Sequence, residues 1–196
     1  MVELKRVCVF CGAQPGRDPA QATLAAALGR EIAARGLGLV YGGGKVGLMG
    51  IVADAALREG AEVIGVIPEA LMERELGHGG CTELRVVPSM HERKAIMNDL
   101  SDGFVVLPGG IGTLEEAVEI QSWAQLGIHG KGLAYLDVDG YWDPFFALLA
   151  RMAEGGFVRP EHAALALRAG SPAEALDLLA AWQPPQVTRW MVRSET

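Results

Sequence analysis

Seven short apolar runs punctuate the chain, at residues 6–10, 38–41, 62–67, 83–87, 103–107, 132–137 and, more weakly, 164–167. They are nearly continuous in apolar residues rather than alternating, the pattern of strands buried on both faces. Between them, residues 20–35, 47–59, 90–100, 113–125, 141–154 and 172–182 carry apolar side chains at helical spacing, as do Leu114, Ala117, Val118 and Trp123. This alternation predicts an α/β fold: a Rossmann-like, doubly wound parallel sheet of about seven strands with helices on both faces. A single nucleotide-binding domain is expected over residues 1–184, followed by a tail at 185–196 with Trp190 and Met191.

In such a fold ligands bind beyond the carboxyl ends of the strands, where the strand order reverses. The least ordinary sequences lie at those ends: Phe10-Cys11-Gly12, Tyr41-Gly42-Gly43-Gly44, Pro68-Glu69, Pro88-Ser89 and Pro108-Gly109-Gly110-Ile111-Gly112-Thr113-Leu114-Glu115-Glu116. The last follows a strand and opens a helix. Its bare N–H groups and the helix dipole make an anion cradle. Glu115 and Glu116, expected in the first helical turn, would repel that anion unless one of them acts on the ligand. Thr113 and Glu116 also fit a capping box, with Thr113 as N-cap, which is a purely structural role for Glu116 and leaves Glu115 as a solvated charge.

Composition narrows the ligand. Half of the residues are hydrophobic but only 6% aromatic, and 26 are glycine, which suits close packing of helices on a sheet. A net charge of −7 argues against nonspecific binding to nucleic acid or to an anionic membrane, so a phosphate must be held by local geometry. Lys45 and Asp54 interrupt the apolar stretch at 36–57, and the run after Lys5-Arg6 is too short for a signal peptide; a cytoplasmic protein is expected. Cys8 and Cys11 form C-x-x-C, but strand alternation puts them on opposite faces, as core thiols rather than a redox pair. No second ligand pair completes a zinc site.

Ser89 and Glu92 make another capping box, which leaves Arg93 and Lys94 unexplained. Two adjacent cations at a strand's carboxyl end call for an anionic ligand or a partner carboxylate, while His91 reads as structural. Gly42, Gly44 and Gly47, with Glu69 placed 22 residues further on, fit the dinucleotide fingerprint. That motif follows the second strand, however, and leaves no chain for a substrate domain. Gly12, Gly43 and Gly44 remain candidates for a phosphate loop. A glycine cradle, Arg93-Lys94 and a carboxylate at one sheet edge suit a phosphorylated sugar whose reacting centre lies close to its phosphate.

Ser89-Met90-His91-Glu92-Arg93-Lys94-Ala95 and the segment from Pro108 to Glu116 resemble the Lonely Guy family. These are cytokinin riboside 5'-monophosphate phosphoribohydrolases, long labelled lysine decarboxylases. The resemblance extends to Phe10-Cys11-Gly12, Tyr41 to Gly44, Gly47-Leu48-Met49-Gly50, Trp123 to His129 and Val138-Asp139-Gly140-Tyr141, and spans residues 6–182. It implies a homodimer that hydrolyses purine nucleoside 5'-monophosphates to free base and ribose 5-phosphate, with adenine or N6-substituted adenine as base and no cofactor or metal. By motif, Arg93 and Glu116 would be the catalytic pair. Gly109, Gly110, Ile111, Gly112, Thr113, Leu114 and Glu115 would contact substrate, with Lys94 near the phosphate. Glu75 matches a further substrate-contacting acid, and Ser122 stands where relatives often carry threonine. Ala13 replaces a serine found in many members and removes one phosphate hydroxyl. The apolar surplus of Trp123, Leu126 and Ile128 agrees with a dimer.

The alternative is a non-catalytic carrier of a phosphorylated ligand, such as molybdenum cofactor. Arg93 together with Glu116 favours the enzyme, since a phosphate binder has no use for that glutamate. Amino-acid decarboxylation usually needs an electron sink such as pyridoxal phosphate. No lysine here has a recognisable Schiff-base setting, and Lys131, between two glycines, reads as a surface turn residue.

Overall fold

Each apolar run becomes a strand of one parallel sheet in the computed structural model, which describes residues 3–72 and 77–184. The strands are β1 (Arg6–Phe10), β2 (Gly38–Tyr41), β3 (Val63–Pro68), β4 (Glu83–Val87), β5 (Gly103–Val106), β6 (Gly132–Leu136) and β7 (Ala166–Ala169). The helices are α1 (Pro19–Ala34), α2 (Gly47–Arg58), α3 (Glu69–Met72), α4 (Met90–Leu100), α5 (Ile111–Gln125), α6 (Asp143–Glu154), α7 (Pro160–Ala163) and α8 (Pro172–Ala180). The four-residue helices α3 and α7 are too short for periodicity to announce them. α7 takes up the residues before the last strand, so β7 begins two residues later than the apolar run at 164–167. Asp18 starts α1 by accepting from the Ala20 N–H at 2.9 Å, with Pro19 in the first helical position, where its missing N–H costs nothing.

The strand order is β4-β3-β2-β1-β5-β6-β7, all parallel. The chain winds outward from β1 to β4, crosses back to β5 beside β1, and winds outward again on the other side. The reversal therefore lies between β1 and β5, paired from Val7↔Gly103 to Phe10↔Val106. Just past these strands, Leu107 N–H donates to Phe10 O (2.9 Å) and Gly12 N–H to Pro108 O (3.1 Å), tying the two following loops together.

Alternation along the strands feeds two apolar layers. On one face Val7, Val9, Leu39 and Tyr41 meet Leu28 and Ile32 of α1, Val52 of α2 and Leu176 of α8. On the other, Phe10, Val40, Phe104 and Tyr135 meet Met97 of α4, Ala117 and Ile120 of α5 and Leu149 of α6. Each fully buried Leu or Ile contributes roughly 1.5–3 kcal/mol. Cys11 belongs to the first layer and Cys8 to the second, so the C-x-x-C thiols are separated by the sheet. Burial pushes both thiols well above the usual range, with the nearby Glu116 charge adding to it. Trp182 lies beyond the end of α8, where its indole N–H donates to Gly130 O at 3.0 Å. Among the described residues, no helix is long and apolar enough to cross a membrane. Glu75, Trp190 and Met191 lie outside the described residues.

Candidate active site

The arginine that the sequence singled out is a junction of four elements. α4 is started by Ser89, whose Oγ accepts from Glu92 N–H at 3.2 Å. Its buried residues are Arg93, Lys94, Met97 and Asn98, one face of a helix. Arg93 is only 5% exposed. Its Nε donates to Val66 O of β3 (3.1 Å) and its Nη2 to Gly42 O after β2 (3.2 Å), while Nη1 lies 3.5 Å from Glu116 Oε1 of α5. Two carbonyl acceptors and one carboxylate compensate the desolvated guanidinium, which a lone buried charge could not achieve. A Cβ at Gly42 would come within 2.1 Å of Nη2, so any other residue there displaces the arginine. Gly42, the first of the three glycines, thus serves to seat Arg93. Gly43 and Gly44, expected as phosphate-loop residues, do not line the cavity described below.

The capping reading of Glu116 is overturned. α5 starts three residues earlier than the capping box requires, with Gly110 rather than Thr113 as N-cap and no side-chain cap. Thr113 is then the third helical residue and Glu116 the sixth, beyond the first turn and 7% exposed. Packing made this choice. Thr113 is pressed against the backbone of Gly109, where a Cβ would lie 2.2 Å from the Thr113 Oγ1, so the threonine sits inside the helix instead of capping it. The early start leaves the N–H groups of Ile111, Gly112 and Thr113 at the helix entrance, the arrangement that binds anions.

Lys94 and Glu115 also depart from expectation. The Lys94 ammonium is buried between Glu115 (2.5 Å) and Glu119 (2.8 Å) of α5. Burial opposes its charge, but the hydrogen bonds to the two carboxylates hold its pKa above the usual lysine value. Its anion is a carboxylate of the same chain, and neither Lys94 nor Glu115 lines the cavity. Glu115 is half-exposed and paired, not an isolated solvated charge.

A cavity of about 670 Å³ opens where β1 and β5 part, at the topological switch point. Gly12, Gly109, Gly110, Gly112, Thr113, Arg93 and Glu116 all line it. Ile111 (82% exposed), Leu114 and Ser122 do not; Leu114 packs into the apolar layer beneath α5, and Ser122 is exposed on that helix. His91 is exposed on α4 and lies outside the cavity. Several lining residues were not among the expected site residues. Gln14, Arg17, Asp18 and Gln21 follow β1, and Leu48, Met49, Leu71 and Met90 add apolar surface. Tyr141 also lines the cavity, and its hydroxyl donates to Gly109 O at 2.6 Å, tethering the loop after β6 to the glycine turn. Leu48, Met49, Met90 and Tyr141 lie within motifs that carry the family resemblance, and the others share only the proximity of their loops to a strand's carboxyl end.

Comparison with known proteins decides the family. A probable cytokinin riboside 5'-monophosphate phosphoribohydrolase of Oryza sativa subsp. japonica is 46% identical over 180 residues, covering 92% of this chain and 74% of the relative. A cytokinin riboside 5'-monophosphate phosphoribohydrolase of Arabidopsis thaliana is 43% identical over 182 residues, covering 93% and 85%. The chain belongs to this phosphoribohydrolase family. A family model described as possible lysine decarboxylase also matches, over residues 49–179. Among solved structures, the molybdenum cofactor binding protein of Rippkaea orientalis superposes with a TM-score of 0.70 at 22% identity, covering 92% of this chain and 98% of that one. The molybdenum cofactor carrier protein of Chlamydomonas reinhardtii gives 0.68 at 22%, covering 92% and 100%. At that identity the likeness is one of fold.

The decarboxylase label finds no chemistry in the site of this phosphoribohydrolase-family chain. Its lysines are Lys5, Lys45, Lys94 and Lys131, and none lines the cavity. Lys131 is not a surface turn residue: its ammonium donates to Asn98 O, and burial lowers its pKa. It precedes β6, at the amino end of the sheet, whereas the cavity lies at the carboxyl end.

Proposed function

We propose that this chain hydrolyses the N-glycosidic bond of purine nucleoside 5'-monophosphates, with adenine or an N6-substituted adenine as base, releasing free base and ribose 5-phosphate. The observation that carries this is the buried Arg93–Glu116 pair lining the same cavity as the glycine turn at the start of α5. Breaking the bond develops positive charge at C1' and O4' of the ribose. The Glu116 carboxylate stabilises that charge and orients or deprotonates the attacking water. Arg93, fixed by two backbone carbonyls, holds Glu116 in place and offers its remaining donors to substrate oxygens. The helix-entrance N–H groups take the phosphate, with Gly12, which has no side chain to obstruct it, lining the cavity beside them, so that remote binding energy fixes the ribose against the carboxylate. The apolar side chains of Leu48, Met49, Leu71 and Met90 suit a base with an apolar N6 substituent.

A carrier of a phosphorylated ligand is the competing reading, and only the fold-level likenesses favour it. Incubation with AMP and with N6-substituted analogues, followed by chromatography for free base and ribose 5-phosphate, separates the two. Turnover beyond one equivalent supports hydrolysis; stoichiometric binding without release supports the carrier.

Substrates are expected to need the 5'-phosphate. Without it the helix-entrance donors are idle, and each lost charged hydrogen bond costs about 1.5–3 kcal/mol. With two such bonds lost, adenosine should show a kcat/KM at least ~10²-fold below that of AMP. Comparable values for the two would overturn the phosphate assignment.

We propose a homodimer as well. Phe157 is 87% exposed and lines a shallow groove with Leu126, while Val118 is exposed on α5 and Trp123 and Ile128 are only partly covered. Light scattering at micromolar concentration should give twice the chain mass of 20.8 kDa; a monomer mass would refute it. The net charge of −7 supports the absence of a nucleic-acid partner, and the free thiols of Cys8, Cys11 and Cys81 support a cytoplasmic location.

A further inference from the structure

Outside the cavity, the turn between α3 and β4 brings together a second set of reactive side chains, none of which lines the proposed active site. His78 is 3% exposed. Its Nε2 lies 3.1 Å from Asp54 Oδ1 of α2, and its Nδ1 lies 3.2 Å from the Sγ of Cys81. The Tyr41 hydroxyl at the end of β2 lies 3.1 Å from the same sulfur. The turn itself is fixed by His78 N–H donating to Gly43 O (2.9 Å) and by a bridge between Gly44 and Gly77.

The donors and acceptors can be assigned from their chemistry. A carboxylate only accepts, so His78 carries a proton on Nε2, and its neutral form presents a bare Nδ1 to the thiol. Burial pushes the Tyr41 phenol well above its usual range, so it stays protonated and donates to the sulfur. Cys81 thus faces a histidine base whose tautomer an aspartate fixes, the nucleophile–base–orienter arrangement of covalent catalysis. Cys8 and Cys11 lie inside the apolar layers, whereas Cys81 packs against the first of them and is partly exposed. Burial also raises the Cys81 pKa, so the resting group is a thiol that must give up its proton during attack.

We propose that Cys81 is a nucleophilic thiol, activated by His78 and Asp54, that reacts with low-molecular-weight disulfides to form a mixed disulfide. The S–H proton passes to His78 Nδ1 as the sulfur attacks. A new S–S bond forms to one half of the reagent while its own S–S bond breaks. The departing thiolate takes the proton back from His78 and leaves as a thiol. Cys81 is oxidised and the departing half is reduced, so no further oxidant is needed. The reaction is independent of the hydrolase assignment.

The test uses the full, reduced chain and glutathione disulfide, with the modified cysteine located by peptide mass spectrometry and its rate followed over time. Cys81 is expected to react first, and at least about tenfold faster in the native chain than in the same chain unfolded in urea. Asp54→Asn, at a half-exposed position and with its fold checked by circular dichroism, should slow the native reaction about tenfold or more by releasing the tautomer. His78→Gln should slow it at least as much. Native Cys81 reacting no faster than unfolded Cys81, or an unchanged rate in folded Asp54→Asn, would reduce the cluster to a polar anchor for the turn.

Discussion

Glu116→Gln should lower kcat at least ~10²-fold, the usual scale for losing a positioned base, in a protein that remains folded. Glutamine keeps the length of the side chain and an oxygen that can face Arg93 Nη1, but it removes the charge that stabilises an oxocarbenium-like centre and the base that activates water. Because Glu116 lies in the second turn of α5, no helix cap is lost. What is lost is one partner of a buried pair 3.5 Å apart. An uncompensated buried charge costs about 3–5 kcal/mol. Arg93 keeps the Gly42 and Val66 carbonyls, so the drop in stability should be smaller than that. The assay belongs at a temperature where thermal melts show both proteins folded. Glu115→Gln is the matched control: Glu115 neighbours Glu116 but pairs with Lys94 outside the cavity, so its turnover should stay near wild type. Retained activity in Glu116→Gln, or a loss that only follows the unfolded fraction, would return Glu116 to a structural role.

Arg93→Lys is the second large effect, although the charge is conserved. The guanidinium fork reaches Val66 O, Gly42 O and Glu116 from three separate nitrogens, and a shorter ammonium cannot span all three. At about 1.5–3 kcal/mol for each lost charged hydrogen bond, kcat/KM should fall roughly 10²-fold. The fall should appear in kcat, because the displaced group is the carboxylate that acts on the transition state. Near-wild-type turnover in folded Arg93→Lys would mean that Arg93 acts only as a point charge.

Much of this was legible in the order of residues. All seven strands and the six longer helices follow from local hydrophobic periodicity, with boundaries off by two residues or fewer. Arg93 and Glu116 stood out because a cation pair and a carboxylate beside a glycine turn have no complete local explanation. Where a local explanation did exist it could mislead, as the Thr113 capping box shows. Capping rules weigh only four consecutive residues, whereas the start of α5 was settled by the fit of Thr113 against Gly109.

What the sequence determined by itself was the alternation of strands and helices, the opposite faces of Cys8 and Cys11, and the residue types available at the carboxyl ends of the strands. The tertiary structure decided which ends meet. Only the strand order puts β1 beside β5 and opens the cavity there. Only packing brings Arg93 to Val66, 27 residues away, and to Gly42, 51 away, gives Lys94 its carboxylates, and sets Cys81 against Tyr41 at a separation of 40. Periodicity and capping are set by residues within a turn or two, so they can be read along the chain. A buried charge must instead find its partner wherever the fold excludes water, and that place is fixed by contacts between segments distant in sequence.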